Sequence, residues 1–501
     1  MSCRNLLRDP CWQATDLGCP MPDSPHAVSV ALPRWADVVA YEEKEPACRQ
    51  ALRAIYPRFG FNPLVAELAA EALAQHPGQG CTAWPYPTEQ AAQLARDHCR
   101  RKKPGATTSI VRVRGLPCLI CEDAATANAM EFWQHTGLGA SSRQAGAALG
   151  RQHPPSPQAG EAARAQLRKR LAVLYGCDPE SVALLPSGMA ALHTALAATT
   201  ALAATTALAD ATATSPARPT LQLGFPYVDV LKLPQVVFAG GDLLLRADPA
   251  HLAEQLERRR PAAVIVELPS NPLLQCVDLI SVAELAHRRG IPVIVDDTIG
   301  SVLNIDVLQH ADLVFSSLTK SFAGRGDILA GALVVSPSSS WADQLQQQLS
   351  PLAAELADGD SIELEQASRD VGKRIPSLNR NCQALAEHLS AHPAIRRVMH
   401  PGHCPNFRAL MRPQAGHGCL LSFELKGGLP AAQRVYDQLR VCKGPSLGTD
   451  FTLVCPYVLL AHYNELNWAE SCDVPRHLLR VSVGLEAADE LWERFQSALE
   501  S

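Results

Sequence analysis

The chain has 501 residues, of which 47% are hydrophobic and 19% charged, and its formal net charge is −5. A chain this long can bury a full core divided among two or three domains. Mild acidity gives no electrostatic footprint for nucleic acid or an anionic membrane, and no run of about 18 apolar residues would span a bilayer, so neither a nucleic-acid nor a membrane partner is expected.

Residues 1–20 are polar, broken by Asp9, Pro10 and Asp16, and lack a signal-peptide apolar core, which predicts a cytoplasmic address. The 16 cysteines are scattered, as in intracellular proteins. One pair, Cys118-Leu119-Ile120-Cys121, has metal or redox spacing and follows the β-rich run 109–113. No second Cys/His pair lies at zinc-finger distance, so these read as buried strand cysteines, and no metal is expected. Residues 149–160, with Pro154, Pro155 and Pro157, read as a loop. Residues 196–213 form a six-residue repeat: Leu196-Ala-Ala-Thr-Thr-Ala201, then Leu202 to Ala207, then Leu208 to Ala213. Six is far below a solenoid period, so the repeat reads as a local expansion of one helix or loop.

From there the pattern is α/β. Apolar runs at 263–268, 292–295, 313–315 and 330–335 read as buried strands, with a helical stretch at 281–289. Such alternation predicts a parallel sheet with helices on its faces. Chemistry in such sheets gathers at the carboxyl ends of strands. The tract Ser336-Pro337-Ser338-Ser339-Ser340 then marks a domain boundary.

Three motifs follow predicted strands. Leu185-Pro186-Ser187-Gly188-Met189-Ala190-Ala191 is a tight glycine turn opening a helix, where backbone N–H groups can cradle a phosphate. Asp296-Asp297-Thr298 places a carboxylate at a strand end, as a helix cap or a metal ligand. Ser316-Ser317-Leu318-Thr319-Lys320-Ser321 places a lysine among hydroxyls, where desolvation can make it an imine-forming nucleophile.

Together with Glu267-Leu268-Pro269-Ser270-Asn271-Pro272-Leu273, these motifs resemble the Cys/Met-metabolism family of pyridoxal-5′-phosphate (PLP) enzymes, the cystathionine γ-synthase group. Further stretches resemble its fungal branch: 24–30, Tyr56-Pro57-Arg58-Phe59, Phe132-Trp133-Gln134-His135-Thr136-Gly137, Lys443 to Thr449 and Leu478 to Glu486. The resemblance covers nearly the whole chain. It implies an α/β fold of PLP-dependent transferase fold type I, the aspartate-aminotransferase-like arrangement, with a mainly parallel central sheet and a smaller α+β C-terminal domain. The domains would be 1–160, an N-terminal arm with an inserted α/β segment at roughly 64–140; 161–340, the large PLP-binding domain; and 341–501, the small domain.

The same resemblance implies roles. Lys320 would hold PLP as a Schiff base and shuttle protons, and Asp296 would pair with the pyridine nitrogen. Asn271 would bond the ring's phenolic oxygen and Tyr227 would stack on the ring. Ser187, Gly188, Met189, Thr298, Ser317 and Thr319 would hold the cofactor, chiefly its phosphate. Arg480 would take the substrate α-carboxylate as a bidentate pair, with Ser446 beside it. The family also sends a Tyr-x-Arg from a neighbouring subunit to the phosphate; here Tyr56 and Arg58 fit by residue type, and Arg143 is the alternative at the more usual distance. That implies a homo-oligomer, dimer or tetramer, with shared sites. Two departures stand out: Tyr227 lacks the usual Tyr-Gly-Gly-Thr context, and Phe451 stands where common synthases and lyases carry glutamate. The expected substrates are small amino acids. The reaction would be γ-replacement on O-acetyl- or O-succinylhomoserine in transsulfuration, with cysteine, sulfide or a carbon acid as nucleophile; a sulfhydrylase or C–S lyase is the enzymatic rival.

Overall fold

The structure, a computed structural model, describes residues 4–501 except 58, 79–80, 210–217, 247 and 350–351. Its strands fall into three sheets. Strands β1 (Thr82–Pro85), β2 (Thr108–Val113) and β3 (Leu116–Cys121) form an antiparallel sheet in the order β1-β3-β2. Cys118 and Cys121 both lie on β3 and are fully buried.

The central sheet has seven strands: β4 (Val182–Leu185), β5 (Thr220–Leu223), β6 (Gly241–Leu244), β7 (Val264–Glu267), β8 (Val293–Asp296), β9 (Leu313–Ser316) and β10 (Gly331–Val335). Their order is β4-β10-β9-β8-β7-β5-β6. Strands β5 to β9 are mutually parallel, but β10 runs antiparallel to both β9 and β4. The sheet is therefore mainly parallel, as expected, with β10 as the antiparallel strand between β9 and β4. A parallel pairing needs a crossover element, and the link between β9 and β10 carries only turns. That turning link contains Lys320.

The C-terminal sheet holds β11 (Ile395–Met399), β12 (Leu420–Leu425), β13 (Cys442–Lys443), β14 (Leu453–Pro456) and β15 (Leu479–Ser482), in the order β11-β12-β15-β14-β13. Val264, Val293 and Val314 face one apolar core of the central sheet and Ile265, Ile294 and Phe315 face the other. This period-two alternation serves a sheet buried on both faces. The second core also takes in Trp84, Leu119 and Phe132, so the inserted segment packs onto the central sheet.

One local reading needs correction. Residues 149–160 are not all loop: a helix starts at Pro157, capped by Ser156, whose hydroxyl accepts from Ala159 N at 3.4 Å. Proline suits the first helical position, where its missing N–H costs nothing. The hexad tract continues the helix Gly188–Ala209, and the remainder of the tract, 210–213, falls outside the described residues. Alanine and leucine are strong helix formers. A six-residue step turns about 240° around a helix, so Leu196 and Leu202 point in different directions, and both are buried.

Candidate active site

The carboxyl ends of β7, β8 and β9 deliver Glu267, Asp296 and the Ser317–Lys320 turn to one pocket. Val266, Val295 and Val314 hold those strands in the core, and each chain leaves the sheet where its apolar run stops. The turns are tied together by short contacts. Thr298 N donates to Asp296 Oδ1 at 2.9 Å, and Ser317 N donates to Thr298 Oγ1 at 2.8 Å.

Lys320 is buried, and its Nζ donates to Ser446 Oγ and to Tyr56 Oη, each at 3.3 Å. The Ser446 loop closes on the lysine through Gly448, whose φ is +75°. A Cβ at Gly448 would lie 2.4 Å from Ser321 N and 3.0 Å from Lys320 Cβ, so only glycine permits this approach. Arg480, on β15, donates to Ser446 O at 2.6 Å and to Asn271 Oδ1 at 3.3 Å. Its guanidinium lies 4.8 Å from the Tyr457 ring centroid. Arg480 Nε is buried, with no acceptor within hydrogen-bonding distance among the described residues.

Burial pushes the Asp296 carboxyl up to about 6. Among the described residues it makes no ion pair, so a buried carboxylate faces the pocket without a cation. Gly188 opens the 22-residue helix, and Ser187 Oγ accepts from Ala190 N at 3.0 Å while donating to Gly137 O. A Cβ on Gly188 would lie 2.7 Å from Ser317 Cβ, so the cradle between helix start and turn exists because that side chain is missing.

This donor set fits PLP. Asp296 lacks the N–H⁺ partner that a pyridinium supplies. The helix start and the Ser317 turn offer backbone amides and a hydroxyl to a phosphate. Lys320 stands between them and Arg480 as the amine.

Tyr227, Met189 and Thr319 also line the pocket. Tyr227 N donates to Glu267 Oε2 at 2.5 Å. The Thr319 hydroxyl is engaged with the Ala330 peptide, accepting from its N at 3.0 Å. Arg58 falls outside the described residues.

Within the single chain, Arg143 and Tyr56 are placed as follows. Arg143 is not in the pocket: its Nη1 donates to Asp327 O at 2.7 Å and Asp360 Oδ1 at 3.2 Å, so buried acceptors of its own chain occupy it. Tyr56 needs no neighbouring subunit to enter a site, because in the single chain its hydroxyl reaches its own Lys320. Burial pushes the Tyr56 phenol up, but the Lys320 charge and a hydrogen bond from Tyr227 outweigh this and lower it. Phe451 packs with Leu6, Met21 and Leu453 in a core cluster away from the pocket.

Sequence reasoning also missed partners. His135 Nδ1 lies 3.0 Å from Asp229 Oδ1 in a buried pair, and Asp229 lines the pocket. Asp297, next to Asp296, accepts the Tyr175 hydroxyl at 2.8 Å, and burial lifts it to about 7. The Val-Asp-Val sequence after Tyr227 and the doubled aspartate were visible, but nothing in the sequence names their partners.

Fold and site together define a PLP-dependent enzyme of fold type I. The family profile for the Cys/Met metabolism PLP-dependent enzyme matches residues 157–500, and that of the fungal trans-sulfuration enzyme N-terminal domain matches 64–141. The chain is 31% identical to the cystathionine γ-synthase of Neurospora crassa, over 97% of this chain and 98% of that one. It is 34% identical to the L-2-amino-4-chloropent-4-enoate dechlorinase/desaturase of Streptantibioticus cattleyicolor, over 96% and 97%. A solved cystathionine γ-synthase of Xanthomonas oryzae pv. oryzae, in complex with aminoacrylate and cysteine, matches with TM-score 0.59 and 26% identity, over 68% of this chain and 86% of that one. The chain belongs to the Cys/Met metabolism PLP-dependent enzyme family, as a cystathionine γ-synthase-like member whose cofactor is PLP. Among the described residues, no helix is long and apolar enough to cross a membrane.

Proposed function

We propose that the protein catalyses γ-replacement on an O-acylhomoserine, O-acetyl- or O-succinylhomoserine, exchanging the acyloxy group for a nucleophile such as cysteine, sulfide or a carbon acid. The observation that carries this reading is the bracketing of one residue by two cations. Arg480 binds the Ser446 carbonyl and Lys320 Nζ the Ser446 hydroxyl, so a substrate anchored by its carboxylate at Arg480 presents its Cα and Cβ to Lys320. Two of the relatives' names point to Cγ: cystathionine is a Cγ thioether, and the chlorine of the dechlorinase substrate is on C4, which is Cγ.

PLP, when bound, supplies a carbonyl that forms an imine with an amine and a ring that accepts electrons. The chain's own residues do the rest. Asp296 would hold the pyridine nitrogen protonated, Asn271 would bond the phenolic oxygen, and Tyr227 would stack on the ring. Ser187, Gly188, Met189, Ser317, Thr298 and Thr319 would hold the phosphate end, and Arg58 would supply its countercharge. Arg480 fixes the carboxylate with a fork that lysine lacks. Lys320 takes the proton from Cα, then moves one at Cβ as the acyloxy group leaves Cγ as a carboxylate. After the nucleophile has added at Cγ, Lys320 returns protons to Cβ and Cα.

A homo-oligomer, two or four copies of the 53.9 kDa chain, belongs to the same proposal, and its mass in solution tests it. The functional test is direct. PLP-loaded protein given O-acetyl- or O-succinylhomoserine and a panel of nucleophiles should release the acid and form a Cγ-substituted amino acid. Release of no acid from either donor overturns the reading.

A further inference from the structure

The proposed reaction needs a place for the second substrate, and the outer part of the pocket differs from its floor. Lys320, Asp296, Asn271 and Arg480 are buried, whereas Ile55, Phe61, Asn62, Trp133 and Gln134 line the same pocket and are partly exposed. That outer wall comes from Ile55, Phe61 and Asn62 and from the helix Asp123–Thr136 of the inserted segment. It is a fixed aromatic face. Phe61 meets Trp133 edge-on at 4.8 Å and 89°, and both rings pack on Trp84 of β1, at 5.1 and 5.9 Å. Gly139 backs this face, since a Cβ there would lie 2.4 Å from Trp133 Nε1. The remaining groups of the wall, the Asn62 and Gln134 amides, are neutral.

Besides Asp296, which the proposed reading gives to the cofactor ring, the carboxyl groups that line the pocket are already engaged. Asp229 is paired with His135, and Glu267 receives the Tyr227 amide. Arg480 and Lys320 are the cations of the described lining besides the imidazole of His26, whose ring contacts Ser142 and Gln152. Under the proposed reading Arg480 is taken by the carboxylate of the O-acylhomoserine, Lys320 moves protons, and Arg58 is assigned to the cofactor phosphate. A second amino acid such as cysteine would bring its carboxylate against aromatic rings without a cation, and an unpaired charge beside apolar surface is costly.

We infer that Phe61, just before the inserted segment, and Trp133 within it wall an acceptor subsite for an uncharged apolar nucleophile, a neutral thiol or carbon acid, rather than for cysteine. This rests on the γ-replacement reading. The balance is simple: the Cγ–O bond of the donor breaks with its electron pair leaving on the carboxylate, the nucleophile loses one proton to solvent, and the new bond to Cγ forms, with no net oxidation or reduction.

The test uses PLP-loaded protein and O-acetylhomoserine with three acceptors: cysteine, benzyl mercaptan and ethyl acetoacetate. Acetate release and the Cγ-substituted product are both measured. At least one neutral acceptor should exceed cysteine in kcat/KM by at least about 10-fold, the scale of a few apolar contacts in a closed pocket. The faster arm then identifies sulfur or carbon as the attacking atom. In Trp133→Ala and Phe61→Ala the neutral-to-cysteine ratio should fall in at least one variant of unchanged melting temperature. Cysteine equal to or better than both neutral acceptors in the wild type overturns the inference, as does a ratio unmoved in both folded variants. Acetate release sustained by cysteine leaves the γ-replacement reading standing while this one fails; no acetate release with any acceptor removes both.

Discussion

Glu267 and Asp296 are paired in register on neighbouring parallel strands, so two buried carboxyls end their strands side by side. Burial pushes both up, Asp296 to about 6, and the Asp296 charge adds to the rise at Glu267. Two adjacent carboxyls in such a place do not ionise together. Burial and the neighbouring Asp296 charge thus push Glu267 towards its neutral form while it serves the Tyr227 amide, and Asp296 is the one placed to ionise against a cationic ring.

The pair predicts a contrast. Asp296→Asn should lower kcat by at least about 100-fold, the scale of losing one preorganised electrostatic partner. Glu267→Gln should leave kcat near wild type, because glutamine is neutral and still accepts from Tyr227. Steady-state kinetics on the PLP-loaded variants decide it. The reverse order of sensitivity would assign the ring nitrogen to Glu267.

Asp297 predicts a pH dependence of stability. Burial raises its folded-state pKa from 3.8 to about 7. Between those values the folded chain holds a proton that the unfolded chain has released, so stability is lost as pH rises from about 4 to about 7. Asp297→Asn stays neutral and can still accept the Tyr175 hydroxyl, so the variant should gain on wild type between pH 5 and pH 8. Urea unfolding at both pH values measures this. Equal changes in both proteins would show that Asp297 does not titrate differently on folding.

Arg143 predicts a loss of stability rather than of cofactor binding. Arg143→Ala strands the Asp360 carboxylate, which is buried with Arg143 as its cation. Removing one partner of a buried pair costs about 3–5 kcal/mol. Unfolding free energy should fall on that scale, while PLP affinity, titrated under conditions where the variant is folded, stays at the wild-type value. Weaker PLP binding with unchanged stability would return Arg143 to the phosphate.

The site was legible where one short stretch carries both placement and chemistry. Val293–Asp296 shows a buried strand and its terminal carboxylate within a few residues, and Leu313 to Lys320 does the same for the lysine. The direction of β10 was not legible, because an apolar run reads alike in either sense and only the helix-free link behind it decides. The own-chain partner of Arg143 was hidden for a related reason. The distance of Arg143 from Ser187 along the chain suits a phosphate ligand, but Asp360, 217 residues further on, claims its guanidinium. Pairings between distant residues, such as His135 with Asp229 or Lys320 with Ser446, leave no local pattern at all.

The hexad tract predicts that length can be removed with little chemical effect. Deleting residues 202–207 takes out the buried Leu202 and should lower the melting temperature. The deleted stretch starts 14 residues into the helix, about 21 Å from Gly188, so PLP affinity and kcat should stay near wild type. Loss of PLP binding in a folded deletion variant would show that the tract supports the cradle.

The most direct test of the central claim, that Lys320 moves protons at Cα and Cβ of a donor that loses its γ-substituent, is an exchange measurement. PLP-loaded wild type and Lys320→Ala are each incubated with O-acetylhomoserine in D₂O, and the amino acid recovered is examined by NMR alongside acetate release. Wild type should place deuterium at both Cα and Cβ and release acetate, while Lys320→Ala should do neither at a comparable rate and remain folded. Deuterium confined to Cα in the wild type, or acetate release undiminished in Lys320→Ala, would contradict the account.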